Sequence, residues 1–143
     1  MLVSALAIAA VGAGCGSSDD EALTKAEFTQ QANAICKQGD KERFKKYVAL
    51  IKGRGAAAET MSIKEGEAEL GEELLIPLYQ SRVEELGDLA PPSGDEEQVA
   101  AILEALEEGI EEGKKSPELL PNEIPAVVRY GKLAAAYGLK CDV

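Results

Sequence analysis

Five aliphatic side chains, Val99, Ile102, Leu103, Leu106 and Ile110, fall at i, i+3, i+4, i+7 and i+11. At 3.6 residues per turn that spacing draws one unbroken apolar stripe along an α-helix and offers nothing to the alternation of a strand. Asp95 and Gln98 precede the stripe at capping-box spacing, and Gly113 marks its end. Three more segments read the same way. Thr24 and Glu27 open a helix that runs to about Lys52, with Phe28, Ala32, Ile35 and Cys36, then Phe44, Tyr47, Val48 and Ile51, as its apolar set. The two halves of that set are offset by about a third of a turn, which predicts a bend or a supercoiled wrap around Gly39 and Asp40. Ser62 and Glu65 open a second helix that carries Leu70, Leu74, Leu75, Leu78, Tyr79, Val83 and Leu86, and Pro77 should kink it. Gly87 stops it, and Ala90 to Gly94, with Pro91 and Pro92, is a stiff connector. A fourth helix from about Asn122 places Ile124, Val127, Val128, Gly131, Ala134 and Ala135 on one side and ends at Gly138. With aromatics at 4% and no Trp, the core has to be built largely from Leu, Ile, Val and Ala, which suits packed helices better than a sandwich. The expected fold is all-α: an antiparallel four-helix bundle whose first and second helices are bent or kinked.

The N-terminus carries a different pattern. Residues 2 to 11 are almost wholly apolar, Gly12-Ala13-Gly14-Cys15 follows, and Gly16-Ser17-Ser18-Asp19-Asp20 turns polar. The run is too short to span a bilayer, which takes about 20 apolar residues. Ala13, Gly14 and Cys15 resemble the lipobox of bacterial lipoprotein signals, where the cysteine sulfur receives a diacylglycerol and cleavage falls on its N-terminal side. Gly12 departs from that pattern, since a larger aliphatic residue is usual there. Residues 1 to 14 also hold no Lys or Arg, whereas such signals begin with positive charge, so the true start is expected upstream of Met1. The resemblance implies a signal peptide over 1–14, a lipid-anchored, palmitate-bearing tether over 15–23 and a helical domain over 24–143. It also implies a place on the extracytoplasmic side of the cell membrane. With Cys15 set aside for lipid, Cys36 and Cys141 remain as an even pair in an oxidising compartment, and a disulfide between the first helix and the C-terminal tail is expected. Two free buried thiols are the alternative. Zinc would be short of ligands, with two cysteines, no His and no CxxC.

A second resemblance rests on Phe28 to Cys36 (FTQQANAIC), the Pro91-Pro92 connector before an acidic helix start, and Tyr137-Gly138-Leu139-Lys140-Cys141. These look like small exported lipoproteins of high-GC Gram-positive bacteria, a group with no assigned activity, and the likeness extends over most of the chain beyond Cys15. It implies a fold and a disulfide rather than a reaction.

Charge is unevenly placed. The formal net charge is -11, yet residues 25 to 54 hold eight basic side chains against three acidic ones, a local +5 that leaves -16 for the rest. The acidic excess argues against nucleic acid as a partner. Lys37, Lys41, Arg43, Lys45 and Lys46 form a basic face that could meet anionic headgroups. The alternative, favoured by the sequence, is that they balance the acidic second and third helices. Glu104, Glu107, Glu108, Glu111 and Glu112, with Glu65, Glu67, Glu69, Glu72 and Glu73, could offer oxygen ligands to a divalent cation. They read better as solvated faces, because neither EF-hand spacing nor Glu-x-x-His is present. Without His the usual imidazole base is missing, and the Lys115-Ser116 pair is only a loop element. Tyr47, Tyr79, Tyr130 and Tyr137 could line a ligand groove or sit in the core with their hydroxyls at its edge. The sequence therefore points to a non-catalytic, lipid-anchored interaction module of the cell envelope, needing no cofactor, with the membrane and an envelope protein as partners. A carrier of a small ligand or divalent cation is the alternative.

Overall fold

The computed structural model describes residues 22–121 and 124–141; Cys15, with the rest of the signal and anchor reading, lies outside them. Among the described residues all regular structure is helical. The elements are α1 (Lys25–Arg54), a 3-10 turn (Gly55–Glu59), α2 (Ile63–Leu70), a π-turn (Gly71–Leu75), α3 (Ile76–Gly87), α4 (Glu96–Lys115), a second 3-10 turn (Pro117–Leu119) and α5 (Pro125–Tyr137). Because α2, the π-turn and α3 follow one another without a break, the chain forms the four expected helical rods.

Two of the expected caps are present. Thr24 and Ser62 each accept a hydrogen bond from the backbone N–H three residues on, and the Glu27 and Glu65 carboxylates each accept one from the backbone N–H of the cap residue. Both carboxyls are held below their ordinary pKa by these hydrogen bonds. The third cap is a correction: the Asp95 carboxylate accepts no backbone N–H at the start of α4, because it is taken by Tyr137, Lys25 and the side chain of Gln98. At the other end α5 closes on Gly138 in the left-handed region, with Leu139 N–H donating to the Ala134 carbonyl. That bond satisfies a terminal carbonyl and turns Leu139 into the core.

Around Pro77 the chain answers a local problem. A proline inside a helix has no N–H to give and crowds the preceding turn. Here the backbone widens just before it, with Ile76 N–H reaching the Gly71 carbonyl five residues back, and α3 restarts with Pro77 in its first turn.

Several glycines serve close approach and not helix termination. The structure continues α4 past Gly113 to Lys115, and a Cβ at Gly113 would lie 2.0 Å from Leu120 Cδ1. α1 runs through Gly39, where a Cβ would meet Leu78 Cδ1 at 3.2 Å. At Gly71 a Cβ would come within 2.2 Å of the Pro117 carbonyl oxygen, so the π-turn and the turn after α4 touch backbone to backbone.

Around these contacts α4 packs on α5 and α3, and α1 packs on α3. The core joins Phe28, Ala32, Leu75, Leu78, Tyr79 and Leu86 to Val99, Ile102, Leu106, Ile110, Val127, Tyr130 and Tyr137. Scarce as they are, four of the six aromatic residues lie in it. Two stripe assignments need correction. On α5 the packed face runs through Val127, Tyr130, Ala134 and Tyr137, so Val128 is exposed and Ala135 lies outside. On α1 the packed face ends early: Phe28, Ala32 and Cys36 are buried, and nothing beyond Cys36 is. Cys36 is bonded to Cys141 across 105 positions, as expected from the cysteine count.

Gly71→Ala is expected to destabilise the fold by about 1–3 kcal/mol, because the added methyl meets rigid backbone. Gly53→Ala, where nothing lies within 4 Å, should instead gain up to about 1 kcal/mol from the lower backbone entropy of alanine. Urea unfolding of the two variants checks the opposite signs.

Candidate functional site

The second half of α1 meets the second rod through one buried charge. Arg82 sits within the apolar stripe of α3, only 2% exposed. A buried guanidinium is costly unless it is paired. Its Nη2 donates to Asp40 Oδ1 at 3.1 Å, and Arg43 lies 3.8 Å from the same oxygen. The Tyr79 ring is 5.9 Å from the Arg82 guanidinium carbon. Burial pushes the phenols of Tyr79 and Tyr130 above their ordinary pKa, and nearby Arg82 pulls both partly back.

Beside this pair a groove of about 290 Å³ opens between α1 and the second rod. Phe44 and Tyr47 form one wall; Leu70, Leu74, Leu75 and Tyr79 form the other, with Pro121 closing an end and Asp40 and Arg43 at its rim. The outer lip is apolar and open: Phe44 is 69% exposed, Tyr47 45% and Ile51 42%. Large apolar side chains gathered on one exposed helix face are the usual mark of a contact surface.

Of the tyrosines singled out in the sequence, Tyr47 and Tyr79 share this groove. Tyr137 lines a separate cavity with Ile102 and Leu133, and Tyr130 is fully buried in the core. The basic face also divides. Arg43 turns to Asp40, and Lys46 borders the opposite flank of α1 near Ser81 and Glu85. Lys37, Lys41 and Lys45 stand exposed, joined by Lys52 one turn from the end of the helix. None of these five lysines reaches a carboxylate among the described residues, whereas Arg54 is bound to Glu69 at 3.1 Å and to the Gly66 carbonyl.

The acidic clusters are held differently. Glu108 pairs with Arg129, Glu111 with Lys114 at 2.6 Å, and Glu118 with Lys64 at 3.2 Å. Among the described residues no group of three or more His, Cys, Asp or Glu is disposed to hold a metal ion, and no helix is long and apolar enough to cross a membrane.

At the far end of the molecule a second polar cluster locks the termini. The Tyr137 hydroxyl donates to Asp95 Oδ2 at 2.8 Å, and Lys25 reaches the same oxygen at 3.2 Å. The Lys25 ammonium lies 4.2 Å from the Tyr137 ring centre, and Phe28 meets that ring edge-on at 5.9 Å. Hydrogen bonds from Tyr137 and Lys25 hold Asp95 below the ordinary carboxylate range, while burial and the Asp95 bond push Tyr137 up to about 12.

Arg82 is the residue the sequence reading missed. Its signal was present: Leu75, Tyr79, Arg82 and Leu86 lie at i, i+4, i+7 and i+11, so a charge occupies a core position of the stripe. No family model, no curated protein and no solved structure matches this chain.

The terminal cluster makes stability depend on pH at both ends. Asp95 has a lowered folded pKa, so its contribution is complete above the ordinary carboxylate value and is lost as pH falls through the folded one. Tyr137 has a raised folded pKa, so its contribution is complete below about pH 10 and is lost as pH climbs toward 12. In melts across pH, Asp95→Asn should lower Tm at neutral pH by a few degrees and flatten the acid limb, and Tyr137→Phe should flatten the alkaline one. Parallel wild-type and variant curves would contradict this.

Proposed function

We propose that this chain is a lipid-anchored, extracytoplasmic, non-catalytic module of a bacterial cell envelope, tethered through Cys15. In this reading its four rods form an antiparallel bundle, kinked before Pro77 and with α1 bent near Gly39, and it meets its partner through the second half of α1. The reading rests on one observation above the others: α1 continues for eighteen residues past its last buried side chain, carrying Phe44, Tyr47 and Ile51 in the open. Solvent exposure of such residues is unfavourable by about 25 cal/mol per Å² of apolar surface, and a partner that covers them recovers that energy. The lipobox-like segment supports the address. A second reading, carriage of a small apolar ligand, draws on the groove that Tyr47 shares with Tyr79.

Two measurements on envelopes of expressing cells test the proposal. A photo-crosslinking amino acid at position 47 should give adducts with an envelope component, and the same group at position 104 should not; equal labelling, or none at either position, would refute the contact surface. Metabolic labelling with a palmitate analogue should mark the wild type and leave Cys15→Ser unmarked. The double variant Phe44→Ser with Tyr47→Ser should lose its partner while its stability stays within about 0.5 kcal/mol of wild type, as for other surface changes.

A further inference from the structure

The exposed half of α1 has a composition of its own. At roughly 100° per residue, Phe44, Val48 and Ile51 occupy one sector of the helix with Lys37 among them, and Lys41, Lys45 and Lys52 fall in the sector adjoining it. All four lysines are exposed, and no carboxylate of the described chain lies within ion-pair distance of them. The two acidic residues of this stretch point elsewhere: Asp40 is held by Arg82 and Arg43, and Glu42 accepts from Gln38 on the flank toward α3. The result is a cationic row beside an apolar row, and Phe44 of the apolar row also walls the groove toward the second rod.

We infer that this face lies on an anionic lipid surface, with Phe44 and Ile51 entering the boundary between headgroups and acyl chains and the lysine row lying over the phosphates. The inference rests on the interaction-surface reading above and names the chemistry of the partner. Charge complementarity carries it. A protein partner could bury the apolar row, but nothing else in the fold asks for four unpaired lysines in register with it. A plane of phosphates satisfies all four at once, since cationic and aromatic or aliphatic side chains sharing a helix are what an interfacial helix presents. Lysine near such a surface strengthens association by about fivefold per residue.

The full chain carrying Cys15→Ser, which removes any acyl anchor, provides the test. It contains no Trp, so Phe44→Trp adds a single fluorescent reporter at the centre of the face. With vesicles of phosphatidylcholine and phosphatidylglycerol the emission should shift to the blue and the protein should co-sediment; with phosphatidylcholine alone it should do neither. The double variant Lys41→Gln with Lys45→Gln should bind the anionic vesicles about 25-fold more weakly, given about fivefold per lysine. Lys132→Gln with Lys140→Gln, an equal change of charge at exposed positions elsewhere, should stay close to wild type. Equal binding to the two vesicle types, equal loss in the two double variants, or no binding to either would overturn the inference. If position 47 then crosslinked to a protein in envelopes while vesicle binding failed, the interaction surface would stand and only its lipid partner would fall. Absence of both would remove both.

Discussion

The Cys36–Cys141 disulfide divides this molecule into a part that is folded shut and a part that is left open. Cys36 is the last buried residue of α1, so the bond sits where the helix parts from the core. In the chain-entropy view, closing a loop of about 100 residues restricts the unfolded ensemble by up to about 4.7 kcal/mol. The bond also fixes the tail after α5 against α1, where Lys140 N–H donates to Asn33 Oδ1 at 2.6 Å. On the N-terminal side of the bond, Phe28 and Lys25 close over Tyr137 and Asp95. The second half of α1 needs no disulfide, because it is held to α3 by a different device, the pairing of Asp40 with buried Arg82. One rod is thus secured twice, covalently at its packed half and by an ion pair at its exposed half.

That division explains why the second half of α1 can stay exposed without fraying away. A half-solvated helix gains little from packing, although packing supplies most of the stability of helices in proteins. Breaking a buried ion pair by removing one partner costs roughly 3–5 kcal/mol, since the other charge is stranded. Asp40 therefore acts as the peg that keeps this stretch of α1 against the second rod. Arg54 does the same at the helix end, bonding Glu69 and the Gly66 carbonyl of α2. The groove is the space left between two such pegs, and its position follows from them.

How much of this was legible in the sequence depends on the range of the forces involved. Thr24 with Glu27 and Ser62 with Glu65 were readable because both partners lie within one turn. Asp95 with Gln98 has the same spacing, but Asp95 serves Tyr137, 42 positions away, and Lys25, 70 positions away. Glycine was ambiguous for a similar reason. Gly138 ends a helix through its own backbone, whereas Gly113 and Gly39 are small because Leu120 and Leu78 need the space, and local sequence does not distinguish the two demands. The disulfide was readable once the lipobox resemblance set Cys15 aside and left Cys36 and Cys141 as a pair. Periodicity located the apolar stripe of α1 but treated Phe44 and Ile51 like Phe28, since a stripe that meets the core and one that faces outward share the same spacing. Arg82 within the stripe of α3 was the one residue whose type, set against its position, pointed toward the site.

The charge distribution gives the exposed face a direction. A chain with net charge -11 is repelled as a whole by an anionic surface, yet residues 25 to 54 carry +5 of their own. At physiological salt, screening restricts each interaction to about 8 Å, so only the charges nearest the surface act. An approach through α4, with its exposed glutamates, is resisted; an approach through the lysine row is drawn in. Opposed signs on different helices of one small domain therefore favour a single orientation, and they do so without raising the overall attraction. On the lipid-surface reading proposed above, the acidic remainder of the chain, which by itself reads as a solubility feature, takes part in the recognition, because it makes every other orientation worse.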